Sequence, residues 1–258
     1  MGPLITGPWS GIPNLLITGA LSLIVIGLGA YLCDRVAKEY SSYAFVGLMV
    51  GLQIMVSFTS SKFVALTVGG KEFIIIAGSL MYPVLACGDD YLNEFYGEKI
   101  AKSSVYGQFI ARSLTTAYLI WLIYLPEPAI KQGNFIMFRD LMGIVPRVAI
   151  SSIIATYIGG ILNVNIFAKI KAKTEGKMLW LRTLVSTLVG LAVNAMVFTF
   201  LAFAFTMPVK SLFEMVFISV IVRSATGFLE LLFLYIMTFL KDKGYILKEH
   251  ENLSVSSN

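Results

Sequence analysis

Seven long apolar windows constrain this chain more than any other feature: Leu15–Leu32, Tyr43–Val68, Phe73–Asp90, Ser104–Leu125, Val145–Ala168, Leu181–Met207 and Leu212–Leu240. Crossing about 30 Å of hydrocarbon at about 1.5 Å per residue takes roughly 20 apolar residues in a helix. The expected fold class is therefore all-α, a polytopic membrane helix bundle with seven transmembrane helices. Composition agrees, with 57% hydrophobic and only 14% charged residues, against about a quarter charged in soluble domains. The third window is short for a simple span. Pro83 within it and the acids after it predict a broken or kinked helix, the device by which transporters expose backbone groups at mid-membrane.

A net charge of +5 could suggest a nucleic-acid partner, but the basic residues lie in short loops between apolar windows, where they report orientation. Arg35, Lys38, Lys99, Lys102, Lys169, Lys171, Lys173, Lys177, Arg182, Lys241, Lys243 and Lys248 fall on one side, and only Lys71, Lys131, Arg139 and Lys210 on the other. This bias predicts an outside N-terminus, a cytoplasmic C-terminus and multi-pass insertion in the inner (cytoplasmic) membrane. The run 169–177 is placed to meet anionic lipid. Met1–Asn14 carry no Lys or Arg, so the basic start of a signal peptide is missing and the first span should be retained. The expected division is an extension with one added helix over 1–42, a helix-bundle domain over 43–240 and a polar cytoplasmic tail over 241–258. Cys33 and Cys87 have no metal-ligand spacing and His250 lies in the tail, so no metal, cofactor or catalytic set is expected.

Charges and amides inside apolar windows are the candidate functional residues, because a carboxylate at a helix centre costs roughly 2.5–3.5 kcal/mol on insertion scales. If the third helix continues past its window, Asp90, Asn93, Glu94 and Gly97 fall at i, i+3, i+4 and i+7 on one polar face. That face reads equally as a solvated helix end. Gln53, with Ser57, Thr59, Ser60, Ser61 and Lys62 after it, makes the second window too polar for a wholly lipid-facing surface. Arg112, halfway along the fourth window, calls for an acid inside the bundle, with Asp89, Asp90 and Glu94 as candidates. Arg147 could meet one of the same acids. Arg223 and Glu230 lie two turns apart on one face of the last window. These charges, with Arg182, read as structural or gating.

The fifth and sixth windows repeat one another. Thr156, Gly159, Asn163 and Phe167 match Thr187, Gly190, Asn194 and Phe198 at identical offsets, one stripe on each helix. Small residues allow close helix approach and asparagine bonds between helices in lipid. On spacing alone, packing and ligand binding are both open.

Asp90, Asn93, Glu94, Tyr96, Gly97, Lys99 and Ala101, preceded by Tyr82-Pro83, form a pattern that resembles the vitamin uptake transporter family, whose studied members are queuosine-precursor transporters. Arg147, Ser151-Ser152, Trp180-Leu181-Arg182 and Ser186-Thr187 fit the same family. Four positions depart from it: Gly160 and Leu191 stand where glutamine is expected, Asn163 and Asn194 where aspartate is expected. The family's six spans would match the second to seventh windows.

The resemblance implies secondary transport of a small planar heterocycle, a queuosine precursor (7-deazaguanine) first. The implied binding residues are Asp90, Asn93, Glu94, Asn163 and Asn194, with Trp180 or Tyr157 for stacking. Asparagine both donates and accepts where ionised aspartate only accepts, so another nucleobase, nucleoside or vitamin is the alternative substrate. The acids permit proton coupling without demonstrating it, and oligomeric state is not legible. An intramembrane enzyme using Asp89, Asp90 and Glu94 is the reading from another class, and a passive scaffold a third.

Overall fold

Most of the apolar windows fold as helices. In a computed structural model, which describes residues 12–59, 63–68, 71–76, 82–123 and 146–244, the chain runs α1 (Ile12–Leu32), α2 (Ser41–Thr59), β1 (Phe63–Val68), β2 (Lys71–Ile76), α3 (Tyr82–Phe95), α4 (Glu98–Ile123), α5 (Pro146–Lys173), α6 (Leu179–Phe203) and α7 (Val209–Asp242). A π-helical turn and a 3-10 turn over 33–40 join α1 to α2. The helical bundle expected from the sequence is present. Lys62, Ser60, Ser61, the 124–145 connection and the tail beyond 244 lie outside the described residues.

The second and third windows need correction. Neither is one helix: α2 stops at Thr59, and Phe63–Val68 pairs antiparallel with Lys71–Ile76, Val68 opposite Lys71 and Phe63 opposite Ile76. The sequence reason is Gly69-Gly70 between two runs rich in β-branched and aromatic residues, the pattern of a two-residue hairpin connection. Because Phe63–Val68 and the Phe73–Ile76 part of its partner strand are mostly apolar, hydropathy does not separate them from pieces of a helix. The break expected in the third window is real, but Pro83 does not kink it. Pro83 instead occupies the first turn of α3, where its missing N–H removes no helical bond.

At 14 residues, α3 is about 21 Å long by its rise of about 1.5 Å per residue, too short to cross alone. Its position compensates, for it touches each of the other six described helices. Val84, Leu85, Cys87, Asp90, Tyr91 and Leu92 are all buried. The Tyr91 ring packs 4.8 Å from both Phe45 and Phe95. Gly88 leaves room for Met49 of α2.

Helices α5 and α6 form the most extensive helix pair. Their glycines are the cause: a Cβ at Gly190 would stand 3.1 Å from the Gly159 carbonyl oxygen and 3.1 Å from Asn163 Cβ. The two repeated stripes therefore meet. Of the described helices, two, over Arg147–Lys173 and Leu179–Phe203, are long and apolar enough to cross a membrane taken singly.

The distribution of polarity is inverted relative to a water-soluble domain. Leu114, Trp121, Phe217, Leu232 and Phe239 are more than half exposed, whereas Asp90, Asn163, Arg182 and Glu230 are buried. Gly190→Val should separate α5 from α6 and lower stability by about 1–3 kcal/mol, the usual range for overpacking. Gly47→Ala, where a Cβ meets nothing within 4 Å, should leave the thermal midpoint in detergent unchanged or raise it; equal midpoints for both variants would refute the close-crossing account.

Candidate functional site

The end of α3 is fixed by its own sequence. Gly97 has φ +89°, a left-handed conformation open to glycine without the Cβ strain other residues meet, and it turns the chain directly into α4. The Tyr96 hydroxyl lies 2.8 Å from Ser41 Oγ at the start of α2. Burial raises the Tyr96 phenol above its usual pKa, so it stays a neutral hydroxyl in this contact.

One face of α3 then meets α5 and α6, as the i, i+3, i+4 spacing predicts. Asn163 Nδ2 donates to Asp90 Oδ1 at 2.7 Å, and Asn93 Nδ2 donates to the Val164 carbonyl at 2.9 Å. Glu94 Oε2 pairs with Arg182 at 2.8 Å and Lys171 at 3.2 Å. Lys171 also donates to the carbonyls of Asn93 at 3.2 Å and Glu94 at 2.6 Å, meeting the orphan acceptors and negative dipole end of α3. Arg182, 2% exposed, reaches back to the Gly176 and Lys177 carbonyls at 2.7 and 3.0 Å. That turn holds Glu175, Gly176 and Met178 at positive φ.

Asp89 lies one residue, about 100°, around the helix from Asp90 and turns to α4. It accepts from Ser104 Oγ at 3.0 Å and Gln108 Nε2 at 2.9 Å. Four residues further along α4, Arg112 donates to Ser152 at 2.8 Å and Thr156 at 3.1 Å on α5. Asp89, Asp90 and Glu94 thus go to three different sets of partners.

Between α2, α3, α4, α5 and α6 lies a cavity. Its polar wall is Gln53, Asp89, Gln108, Arg112, Thr156, Asn163 and Thr187; Phe109, Tyr157, Val105, Ile153 and Leu191 supply apolar surface. The Tyr157 and Phe109 rings stand 4.7 Å apart, an aromatic flank for a planar ligand. A mostly apolar pocket with a few convergent polar groups is the usual form of a small-molecule site.

The structure sorts the expected residues. Asn163 and Tyr157 line the cavity; Asp90 is one hydrogen bond behind it through Asn163. Asn93 and Glu94 lie further along α3, bonded to α5 and α6, and do not line it. Asn194 is buried on α6 one turn beyond Gly190 but is not part of the lining. Trp180 is 47% exposed and also outside it. Arg112 is a lining residue. Arg147 is exposed and donates to the carbonyls of Leu201 at 2.8 Å and Ala204 at 2.7 Å, so it caps α6 and meets no acid among the described residues. Arg223 and Glu230 both lie on α7; the side chain of Arg223 is outside the described residues, and Glu230 is buried beside Thr187.

Gln53, Asp89, Gln108, Thr156 and Thr187 line the cavity without having been assigned to it from sequence. A signal existed for α4: Ser104, Gln108 and Arg112 recur every fourth residue, a polar stripe in an apolar window. Gln53 carried only its unexpected polarity. Three of the four departures from the family pattern, Gly160, Asn163 and Leu191, also line the cavity.

The sequence comparisons fit this geometry. The model of the family described as "Putative vitamin uptake transporter" matches residues 76–237, which includes all of α3 to α6 and most of α7. A protein of Bacillus subtilis (strain 168) named "Probable queuosine precursor transporter" is 27% identical over 159 residues, covering 61% of this chain and 69% of that protein. No solved structure matches. With the greater part of its length matched, α3 motif included, the chain belongs to the vitamin uptake transporter family.

Proposed function

We propose that this chain is a multi-pass membrane protein that imports a small planar heterocycle by secondary transport, with a 7-deazaguanine precursor of queuosine as the first candidate. The observation that carries this reading is a cavity with a few convergent polar groups, among them Asp89, Gln108, Arg112 and Asn163, inside a bundle whose outer surface is apolar. Groups of this kind inside a membrane mark substrate and ion pathways. The name of the Bacillus subtilis relative supplies the substrate class.

A second substrate reading has a specific basis. Gly160, Asn163 and Leu191 stand at the cavity wall where the family pattern has other residues, which favours a nucleobase, nucleoside or vitamin of different outline. The enzyme reading loses its basis, since Asp89, Asp90 and Glu94 do not converge on one point.

The bilayer orientation we propose is N-terminus outside and C-terminus in the cytoplasm. Lys171, Arg182 and Lys241 gather at the Glu94 end of α3, Lys241 lying 5.5 Å from the Phe95 ring, which fits a cytoplasmic face rich in basic residues. Proton coupling has a candidate in Glu230. Its carboxyl is buried, receives Thr187 Oγ1 at 3.5 Å, lies near Asp90 and pairs with no Lys or Arg among the described residues.

Purified protein in detergent should show a raised thermal midpoint with 7-deazaguanines, because ligand binding to the native state stabilises it. A shift with a different heterocycle only would move the substrate assignment, and no shift across bases, nucleosides and vitamins would reject the transport reading. In cells, Asn163→Ala and Arg112→Met should reduce uptake about tenfold or more at equal membrane abundance, the effect of removing a buried polar contact, while Arg147→Ala should leave substrate preference as it is. Glu230→Gln should abolish accumulation driven by an imposed proton gradient yet keep the ligand-induced thermal shift; undiminished driven uptake would remove Glu230 from coupling.

A further inference from the structure

Gln53 on α2 is 1% exposed and lines the cavity, yet neither its Nε2 nor its Oε1 has a hydrogen-bond partner. Buried amides ordinarily meet their hydrogen-bonding capacity within the protein, because desolvation without replacement is destabilising. Its neighbours Leu52 and Val56 are buried apolar residues, and nothing in the packing of α2 asks for an amide here. Across the cavity, Asn163 spends its Nδ2 on Asp90 and is left with an unpartnered buried Oδ1. Two residues of the cavity lining, on two elements, thus each hold buried hydrogen-bonding capacity without a partner.

A primary carboxamide offers a donor and an acceptor side by side. One ligand group that uses both at once is a cyclic amide, whose adjacent N–H and C=O return the complementary pair in a two-bond ring. A lone hydroxyl, ammonium or carboxylate would engage only half of the amide. Asn163 Oδ1 calls for one more N–H on the same ligand. The geometry points to Gln53 as a specificity-determining contact that reads the lactam edge of the transported heterocycle, an assignment that rests on the cavity being the binding site. Gln53 precedes residues 76–237, the part of the chain matched by the family model.

The test compares binding of 7-deazaguanine with that of 2-amino-7-deazapurine, which lacks the lactam carbonyl, and of uracil, a second lactam, by calorimetry on wild type, Gln53→Met and Gln53→Glu. Wild type should prefer 7-deazaguanine to its deoxo analogue by about tenfold or more, the scale on which a site built for a hydrogen bond rejects a ligand without it. Gln53→Met should lose that preference, and Gln53→Glu should weaken lactam binding by a similar factor. Without ligand, Gln53→Met should melt at the same or a higher temperature than wild type, since an orphaned amide has been removed. Unchanged discrimination in Gln53→Met would overturn the assignment, as would a variant that melts lower or fails to fold, because Gln53 would then be a structural residue. Gln53-dependent binding of uracil alone would uphold the lactam contact while displacing the 7-deazaguanine substrate. Wild-type binding of none of the three would overturn it, and the wider ligand panel then decides whether the transport reading falls with it.

Discussion

Glu94 carries the heaviest mechanical duty in the bundle. Its carboxylate receives Arg182 from α6 and Lys171 from α5, while both cations spend further donors on main-chain carbonyls of the α3 end and the α5–α6 turn. A buried guanidinium is tolerable only when paired and hydrogen-bonded, and losing one partner of such a pair costs about 3–5 kcal/mol. The short α3, unable to cross a bilayer alone, is thereby locked to the most extensively packed helix pair. That lock fixes where Asp89 and Asp90 sit, and with them two walls of the cavity.

From this anchor the polar groups arrange themselves by helical geometry. Consecutive acids diverge by about 100°, so Asp89 is drawn to Ser104 and Gln108 and Asp90 to Asn163. The glycine crossing of α5 on α6 brings Thr156, Asn163 and Thr187 to one space. The repeat whose spacing left packing and ligand binding open does set the packing: its glycines fix the helix distance, and three of its polar residues, Thr156, Asn163 and Thr187, line the cavity.

Much of this was legible in the chain. The helical bundle, the one-sided face of Asp90, Asn93 and Glu94 and the meeting of the two stripes follow from residue type and period; Gly97, expected on that same face of a continuing helix, instead ends it in a left-handed turn after Phe95. What escaped has physical causes. Short, mostly apolar strands look like pieces of a helix to a measure of hydropathy, and the sequence signal against that reading was Gly69-Gly70 between the two runs. Side-chain reach also decides partners that spacing does not: Arg147 found carbonyls at the end of α6, and Glu94 took up Arg182, so neither is free for substrate. Trp180 faces outward because the first turn of α6 has its inner face filled by Leu179 and Arg182. Gln53 could not be assigned from sequence because its significance lies in lacking a partner, a property visible only once its neighbours are in place.

The two glycines of the cavity wall differ in how freely they can change. At Gly190 an added methyl group runs into the backbone oxygen of Gly159, which has nowhere to go. At Gly160 it meets only the side chain of Val105, 3.1 Å away, which can be replaced or rotated. The first is therefore a fixed point of the frame and the second an adjustable one. A lineage of such proteins could reshape its cavity for a new cargo by paired exchange at 160 and 105, with the helix crossing that holds the scaffold together left untouched.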